Sequence, residues 1–332
     1  MSDALPICDL HCDLLLYLQH DSKRTANDLP ARCALPQLDA GNVQTQVLAL
    51  STETCKGSVE LVARQLAAYK QLPFRYPQQI QYAQTPQVAG CKKVLLAVEN
   101  ASGILEEGEK LQKAFERLAV FLLEGGPILY LSLTWNQENR WGGGSATNVG
   151  LKREGELLLE FLSETNIAID LSHTSDALAD DILNYIDKHR LRLIPIASHS
   201  NFRTICSVPR NLPDPIAKEI ICRGGIIGLN FVRAFVGNTP ADFLQQIEHG
   251  IKLGGENHLC FGADYFYEGD LTHSIAHLLP LYFPGFENAS CYPKLVDLLR
   301  QQFSEKQCVG IAHQNFYNFC SKTSNACLSK RS

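Results

Sequence analysis

The sequence predicts an α/β fold, specifically a (β/α)8 barrel of the TIM type, in which eight parallel strands close into a cylinder surrounded by helices. Two observations lead to this fold class. Eight short apolar runs recur along the chain, and longer segments with helical spacing of apolar residues separate them. Continuous apolar strands that alternate with helices are typical of a parallel sheet covered by helices. Eight such units in about 260 residues favour a closed barrel, although an open, doubly wound sheet would show the same alternation.

The apolar runs define the predicted strands in order. They cover residues 6–11, 43–51, 94–99, 128–134, 167–172, 193–199, 225–231 and 259–264. The predicted helices cover residues 58–71, 106–123, 152–165, 175–189, 213–223, 239–253, 292–303 and 304–320. The helix at 239–253 opens with Thr239 and Pro240, an N-cap residue followed by proline in the first turn. No linker divides the chain, so we expect one barrel domain over residues 1–332, with the last helices packed on the barrel.

The composition bounds the partners and the location of the protein. The net charge is −5 and no basic tract occurs, so we expect no nucleic-acid partner. We recognise neither a targeting signal nor an apolar run long enough to span a bilayer, which predicts a cytoplasmic protein without a membrane partner. The twelve cysteines are scattered and form no paired CxxC motifs. We therefore expect reduced, mostly buried thiols rather than disulfides or a structural zinc site.

Polar residues that can bind metal ions stand at the ends of five predicted strands. The first strand runs into Asp-Leu-His-Cys-Asp at residues 9–13, and the third ends in Glu99. The fifth, sixth and eighth run into His173, His199 and Asp264. In a parallel barrel the C-terminal ends of all strands lie on one face. We therefore expect these side chains to converge at one mouth.

The residue types in this set suit divalent metal ions. Residues two apart in an extended segment point the same way, so His11 and Asp13 can bind one ion from the same side. His173 and His199 offer imidazoles from neighbouring strands, and Glu99 has two oxygens with which it can bridge two metals. Manganese or cobalt would suit these ligands as well as zinc does. A single histidine in an apolar segment is more often a core or surface residue, but three at equivalent positions favour a metal site.

Two loops at the same mouth carry candidate substrate contacts. Arg210 follows the sixth strand and can form a bidentate pair with a substrate carboxylate, with a surface or helix-start arginine as the alternative. Asn136, Asn139 and the glycines at 142–144 follow the fourth strand. These glycines allow close backbone approach to a ligand, or they form a flexible loop. We find neither a GxxxxGK[ST] phosphate loop nor a G-x-S-x-G nucleophile elbow, and we predict Cys12 to be a packing residue.

In this order, the motifs resemble the membrane (renal) dipeptidase family, including its soluble bacterial members. The resemblance extends from Asp9 to about Phe319. It is carried by Asp-Leu-His-Cys-Asp at residues 9–13, Ala-Val-Glu ending at Glu99, Ile-Asp-Leu-Ser-His ending at His173, Ser-His-Ser around His199, Arg-Asn-Leu-Pro-Asp from Arg210 and Phe-Gly-Ala-Asp ending at Asp264.

The resemblance implies a zinc-dependent dipeptidase on a (β/α)8 barrel with a binuclear site of two Zn²⁺ ions. By position, it implies that His11 and Asp13 bind the first zinc and that His173 and His199 bind the second. Glu99 is expected to bridge the two ions.

The resemblance also implies roles for residues outside the ligand set. Asp264 is expected to be the catalytic acid/base, and Arg210 to bind the C-terminal carboxylate of a dipeptide. The implied reaction is the hydrolysis of dipeptides by a metal-activated hydroxide, with tolerance of a D-residue at the C-terminal position. The expected partner is thus a small dipeptide, and a homodimer is the common default for such enzymes.

The segment after the fourth strand departs from the family pattern. Many members have a histidine in a Leu-Thr-His context that helps to bind the scissile carbonyl, whereas this chain has Trp135, whose indole NH can only donate. Asn136 or Asn139 can take over this substrate contact, or the metal alone can serve. Two other functions stay open: a related metal-dependent amidohydrolase acting on an acyl-amino acid or lactam, and an inactive metal-binding protein with an interaction role.

Overall fold

The computed structural model describes residues 4–270 and 278–328, and within them a parallel β-barrel is surrounded by helices. The described strands are β1 (Ile7–Cys12), β2 (Val43–Ser51), β3 (Ile80–Tyr82), β4 (Lys92–Glu99), β5 (Ile128–Ser132), β6 (Ala168–Asp170), β7 (Pro195–Ile196), β8 (Ile227–Leu229) and β9 (Leu259–Phe261). Eight of them form the barrel. The short β3, which was not predicted, pairs only with β4 at the barrel's outer edge.

The strand order closes the sheet into a cylinder. Along the sheet the order is β7-β6-β5-β4-β2-β1-β9-β8, and every pair is parallel. A parallel bridge between Ala197, just after β7, and Ile227 of β8 joins the two ends of this path. Backbone hydrogen bonds from Ala197 N to Ile226 O and from Gly228 N to Ala197 O support the bridge. The predicted barrel is therefore confirmed and the open sheet is excluded.

The helices lie between and after the strands. They are α1 (Leu14–His20), α2 (Leu35–Ala40), α3 (Ser58–Arg75), α4 (Gln112–Gly125), α5 (Arg153–Ser163), α6 (Asp176–His189), α7 (Asp214–Cys222), α8 (Arg233–Val236), α9 (Ala241–Lys252), α10 (Tyr292–Arg300), α11 (Glu305–Val309) and α12 (Asn315–Leu328). A π-helical turn, Gly310–Gln314, joins the last two. Of these, α1, α2 and α8 were not predicted, because each is only four to seven residues long.

The last helices close one end of the barrel. Ser304 caps α11 by accepting a hydrogen bond from the Gln307 backbone NH, and the Gln307 side-chain oxygen accepts one from the Ser304 backbone NH, which is a capping box. Further along, Phe316 and Phe319 of α12 join a buried cluster that includes Ala97 and Tyr130 from the strands. Since residues two apart on a strand share a face, Ala97 lies directly below Glu99. This apolar layer forms the floor under the C-terminal ends of the strands.

The described cysteines and helices bear on two expectations from the composition. The structure describes the side chains of eleven cysteines, and seven of these, including Cys12, are buried free thiols. The side chain of Cys327 is not among those described. In the described part of the chain, no helix is long and apolar enough to cross a membrane.

Candidate metal centre

The six predicted metal-site and acid/base residues all lie at the C-terminal mouth of the barrel. His11 belongs to β1, Asp13 is the first residue after that strand, and Glu99 is the last residue of β4. The others, His173, His199 and Asp264, each stand three residues beyond the end of their strands, β6, β7 and β9. All six are at most 8% exposed. The convergence expected from the strand ends is therefore present.

Two of these residues adopt backbone conformations that are unusual for a side-chain-bearing residue. His173 and Asp264 have φ angles of 66° and 62°, in the left-handed region. Hydrogen bonds hold both: His173 O accepts from Ser145 N at 2.8 Å, and Asp264 O accepts from the Tyr282 hydroxyl at 2.6 Å. Such conformations cluster at functional sites, where the surrounding structure holds them in place.

Glu99 lies at the centre of the cluster, and each of its two carboxylate oxygens is close to different histidines. Oε1 is 3.0 Å from His173 Nε2 and 3.5 Å from His199 Nε2. Oε2 is 3.5 Å from His11 Nε2, which in turn is 3.9 Å from Asp13 Oδ1. The cluster contains three overlapping sets of potential ligands. Two of them share Glu99, which lies with His173 and His199 in one and with His11 and Asp13 in the other, and the third consists of His11, His199 and Asp264.

The hydrogen bonds behind His173 and His199 determine which ring nitrogen faces the centre. Ser198 donates its one hydroxyl proton to Asp170 Oδ2 at 2.6 Å, so its oxygen must accept from His199 Nδ1, also at 2.6 Å. His173 Nδ1 likewise lies 2.8 Å from the amide oxygen of Asn136. With both protons on Nδ1, the Nε2 lone pairs of the neutral rings face each other at 2.9 Å.

This arrangement of acceptors fits a cation. Two imidazole lone pairs and a carboxylate oxygen repel one another at such distances unless positive charge lies between them. Burial lowers the pKa of His173 to about 4, so this imidazole is neutral near neutral pH and able to bind a metal.

The other half of the cluster points to the same conclusion. Among the described residues, no group hydrogen-bonds His11 Nε2 or Asp13 Oδ1, although both atoms are buried. Burial opposes charge on His11, yet the neighbouring Glu99 and Asp13 raise the pKa of its imidazole to about 10. The cluster thus favours positive charge at its centre, and histidine with carboxylate is a donor set that suits zinc and related divalent ions.

Asp264 stands at the edge of this cluster. Its Oδ1 is 3.8 Å from His11 Nε2, and its Oδ2 accepts a 2.8 Å hydrogen bond from the side-chain amide of Asn230. Burial, together with the nearby negative charge of Glu99, raises the pKa of Asp264 to about 6. A carboxyl group with a pKa close to neutral can both accept and release a proton.

Arg210 is buried beside the cluster and oriented by the segment that carries His199. Its two terminal nitrogens donate to Ser200 Oγ at 2.9 Å and to His199 O at 3.0 Å. The guanidinium also lies 5.6 Å from the centre of the Phe235 ring. Within the described ranges, its Nε has no hydrogen-bond partner. A buried guanidinium that is not paired with a carboxylate is suited to bind an anionic group of a ligand.

The loop after β5 differs in detail from the expectation. Trp135 is half-buried with its ring centre 5.9 Å from that of His173, so it lies at the site. Asn136 is there too, but its oxygen already accepts from His173 Nδ1. Asn139 is used inside the protein: its amide donates to Leu133 O and to Asn100 Oδ1. The alternative that Asn139 contacts substrate is therefore not supported.

Two glycines of this loop pack closely against neighbouring backbone. A Cβ on Gly144 would come within 2.0 Å of Trp135 O, and one on Gly143 within 2.3 Å of Val149 O. The absence of a side chain at Gly143 and Gly144 thus lets neighbouring backbone pack closely against them. This packing accounts for the two glycines without a ligand contact or a flexible loop.

The sequence did not reveal the residues that orient the site side chains through hydrogen bonds. Asp170 and Ser198 were noticed only as part of the motifs of His173 and His199, whereas they orient His199. Asn230 stands just after β8, at the same strand-end position as the ligands, and that position is the signal that could have found it. Tyr130 lies inside β5 and carries no such signal.

Comparison with known proteins gives one family. Residues 1–330 match the family described as membrane dipeptidase (peptidase family M19). Human dipeptidase 3 is 26% identical over 335 residues, an alignment that covers 94% of this chain and 64% of the human protein. The chain therefore spans slightly less than two thirds of the length of that relative.

Two further proteins are similar. An uncharacterised Klebsiella pneumoniae protein, from the 5′ region of pqqA, is 29% identical over 229 residues, which are 62% of this chain and 79% of that protein. A Rhodobacter sphaeroides metallopeptidase, solved with a phosphinate mimic of the dipeptide L-Ala-D-Ala, superimposes with a TM-score of 0.81. The two chains share 18% identity, and the match covers 97% of this chain and all of that one. This likeness supports the barrel fold.

Proposed function

The chain belongs to the membrane dipeptidase family, peptidase family M19, and from this premise we propose that it is a metal-dependent dipeptidase whose active centre is the cluster around Glu99. The observation that carries the proposal is the position of Glu99, whose two oxygens address two separate sets of buried donors. That disposition is the one a bridging carboxylate requires.

The proposed centre is binuclear. His11 and Asp13 would hold the first ion, His173 and His199 the second, and Glu99 both. Zinc is the ion that we propose, because histidine with carboxylate is a common donor set for it. When bound, two such ions supply Lewis acidity, which polarises the scissile carbonyl and lowers the pKa of the attacking water.

The residues around the centre provide proton transfer. Hydrolysis adds the oxygen of water to the carbonyl carbon, breaks the C–N bond and leaves a proton on the departing amine. Asp264 is placed to accept a proton from the water and to deliver it to the amine, because it borders the cluster and its pKa is about 6. Asn230 holds one oxygen of this carboxylate, so that the other faces His11.

Arg210 provides the specificity for a short peptide. Its Nε is the buried donor that a C-terminal carboxylate would satisfy, and its other nitrogens are fixed by Ser200 and by the backbone of His199. A free carboxylate bound to Arg210 would lie beside the proposed centre, as the hydrolysis of a dipeptide requires. Trp135 would form an apolar side of the substrate site next to His173. The contact of Asn136 with substrate stays a prediction, as does a homodimer.

We further propose that the enzyme accepts a D-residue at the C-terminal position. The support is the fold shared with the Rhodobacter sphaeroides metallopeptidase, whose ligand mimics L-Ala-D-Ala. The anchoring of the carboxylate by Arg210 agrees with this proposal, since it fixes the end of the peptide rather than the side chain attached to it.

The test is to purify the protein, measure its bound metal and assay matched L-L and L-D dipeptides with and without a chelator. We expect chelator-sensitive hydrolysis of both series and about two metal ions per chain. The same dipeptides with an amidated C-terminus serve as the control and should be poor substrates. Bound metal without hydrolysis of any dipeptide would refute the dipeptidase, whereas preferred hydrolysis of acyl-amino acids or lactams would identify the related amidohydrolase instead.

A further inference from the structure

Tyr130 reaches across the inside of the barrel to a residue of the metal centre. It lies in β5 and is completely buried in the apolar floor. Its hydroxyl is 2.7 Å from His11 Nδ1 and 3.0 Å from Leu10 O, both in β1. In the order of the sheet, β4 and β2 separate these two strands, so the phenol bridges strands that share no backbone hydrogen bonds.

The donors and acceptors at this point fix one proton. The carbonyl of Leu10 can only accept and lies 3.0 Å from the Tyr130 hydroxyl, so we assign the single hydroxyl proton of Tyr130 to this bond, which avoids a contact between two acceptors. The phenol oxygen is then left to accept, and its neighbour at 2.7 Å is His11 Nδ1. Nδ1 therefore carries a proton whether the ring is neutral or charged. Nε2 is the ring nitrogen whose lone pair can be given to a metal.

We propose that Tyr130 is a positioning residue for the metal centre, which holds His11 in the Nδ1–H tautomer with Nε2 directed toward Glu99 and Asp13. The inference rests on the proposed function in one respect, namely that this cluster binds metal. A hydrogen-bond partner behind a metal-binding histidine fixes both the tautomer and the ring orientation, and its loss typically weakens metal binding about 10- to 100-fold.

The three histidines differ in where this support comes from. Ser198, which supports His199, precedes it in the chain, and Asn136, which supports His173, lies in the loop that follows β5. Tyr130 supports His11 from the floor below. A change at Tyr130 is thus expected to affect the half of the centre that contains His11 and Asp13.

The test compares Tyr130→Phe with Tyr69→Phe. Tyr69 lies in α3 and is an equally buried phenol, whose hydroxyl donates to a backbone carbonyl near the start of β4, Val94 O at 3.4 Å. Zinc affinity is measured by competition with a chromophoric chelator, and hydrolysis is measured with and without excess zinc. We expect Tyr130→Phe to bind one zinc about 10- to 100-fold more weakly, with turnover restored by excess zinc, and Tyr69→Phe to bind zinc like the wild type.

A second measurement determines the tautomer in the wild-type protein itself, with a variant used only to assign the signal. In wild-type protein with ¹⁵N-labelled histidine, loaded with zinc, the signal lost in His11→Gln identifies His11, and its nitrogen shifts report the tautomer. A proton on Nδ1 supports the inference, and a proton on Nε2 overturns it. Equal zinc affinity in Tyr130→Phe and the wild type also overturns it while leaving the dipeptidase intact. A wild type that binds no zinc would instead refute the proposed function.

Discussion

The side-chain amide of Asn230 donates a 2.8 Å hydrogen bond to Asp264 Oδ2 and a 3.2 Å hydrogen bond to His199 O. Asn230 thereby ties the proposed acid/base to the segment of a proposed metal ligand. We expect Asn230→Ala to lower kcat about tenfold or more, with bound metal unchanged, because Asp264 loses its fixed orientation. Asn315→Ala is the matched control, since Asn315 is also buried and donates to backbone carbonyls, but below the barrel. An equal loss of kcat in both variants would mean that only stability has changed.

Asp264→Asn tests the acid/base directly. The amide keeps the shape of the side chain but cannot take up the proton, so turnover should fall at least about 100-fold. The metal content, measured by elemental analysis, should stay at the wild-type value. Loss of metal in this variant would make Asp264 a ligand instead. Asp176→Asn is a control at the rim, where Asp176 pairs with Arg203.

Arg210→Lys tests recognition of the carboxylate. Lysine keeps the positive charge but lacks the planar fork of the guanidinium, so KM for free dipeptides should rise at least about tenfold, with a smaller change in kcat. Hydrolysis of the amidated dipeptides should barely change. The control is Arg203→Lys, because Arg203 lies in the same loop and pairs with Asp176. Equal effects on acids and amides would contradict the carboxylate contact.

Glu99→Gln tests the bridge. The amide replaces one of the two carboxylate oxygens with a donor, so we expect both metal ions to be lost. Asp13→Asn should mainly affect the ion that His11 also binds. Metal content measured at increasing chelator concentrations distinguishes the two patterns, with Glu109→Gln as a control outside the site. If Glu99→Gln retained one tightly bound ion, each half of the cluster would bind its metal independently.

Gly144→Ala tests the loop next to Trp135. The new Cβ would lie 2.0 Å from Trp135 O, so the backbone must move. We expect a loss of about 1–3 kcal/mol in the free energy of unfolding, as is typical of overpacking. Gly310→Ala is the control, because its Cβ would come no closer than 3.2 Å to Asn315 Oδ1. Denaturant unfolding of both variants measures the difference, and equal stabilities would show that the loop adapts freely.

The sequence was sufficient for the barrel and for the residues that the structure brings together at its mouth. Apolar runs have a clear period, and the C-terminal ends of parallel strands share one face. The bounds of the later strands were less accurate: residues 193–199 were predicted as a strand, whereas β7 has only two residues. Apolar character extends beyond the hydrogen-bonded pairs, because the segment stays buried as it turns toward the site.

The contacts that support the ligands could not be predicted from the sequence. Tyr130 and His11 are 119 residues apart and lie on strands that are not neighbours in the sheet, so their contact depends on closure of the barrel. Asn230 and Asp264 are 34 residues apart and follow the paired strands β8 and β9, but their contact depends on how the chain turns after each strand. For Asn139, the sequence predicted the position near the site but not the hydrogen bonds that its side chain makes within the protein.

The central position of Glu99 has a consequence for how the centre is filled. A single side chain presents one oxygen to each half of the cluster, so the ion that binds first fixes the rotamer on which the second depends. The first ion should therefore prepare this carboxylate for the second, so that a ligand lost from one half of the cluster also weakens, to a smaller extent, the binding of the ion in the other half.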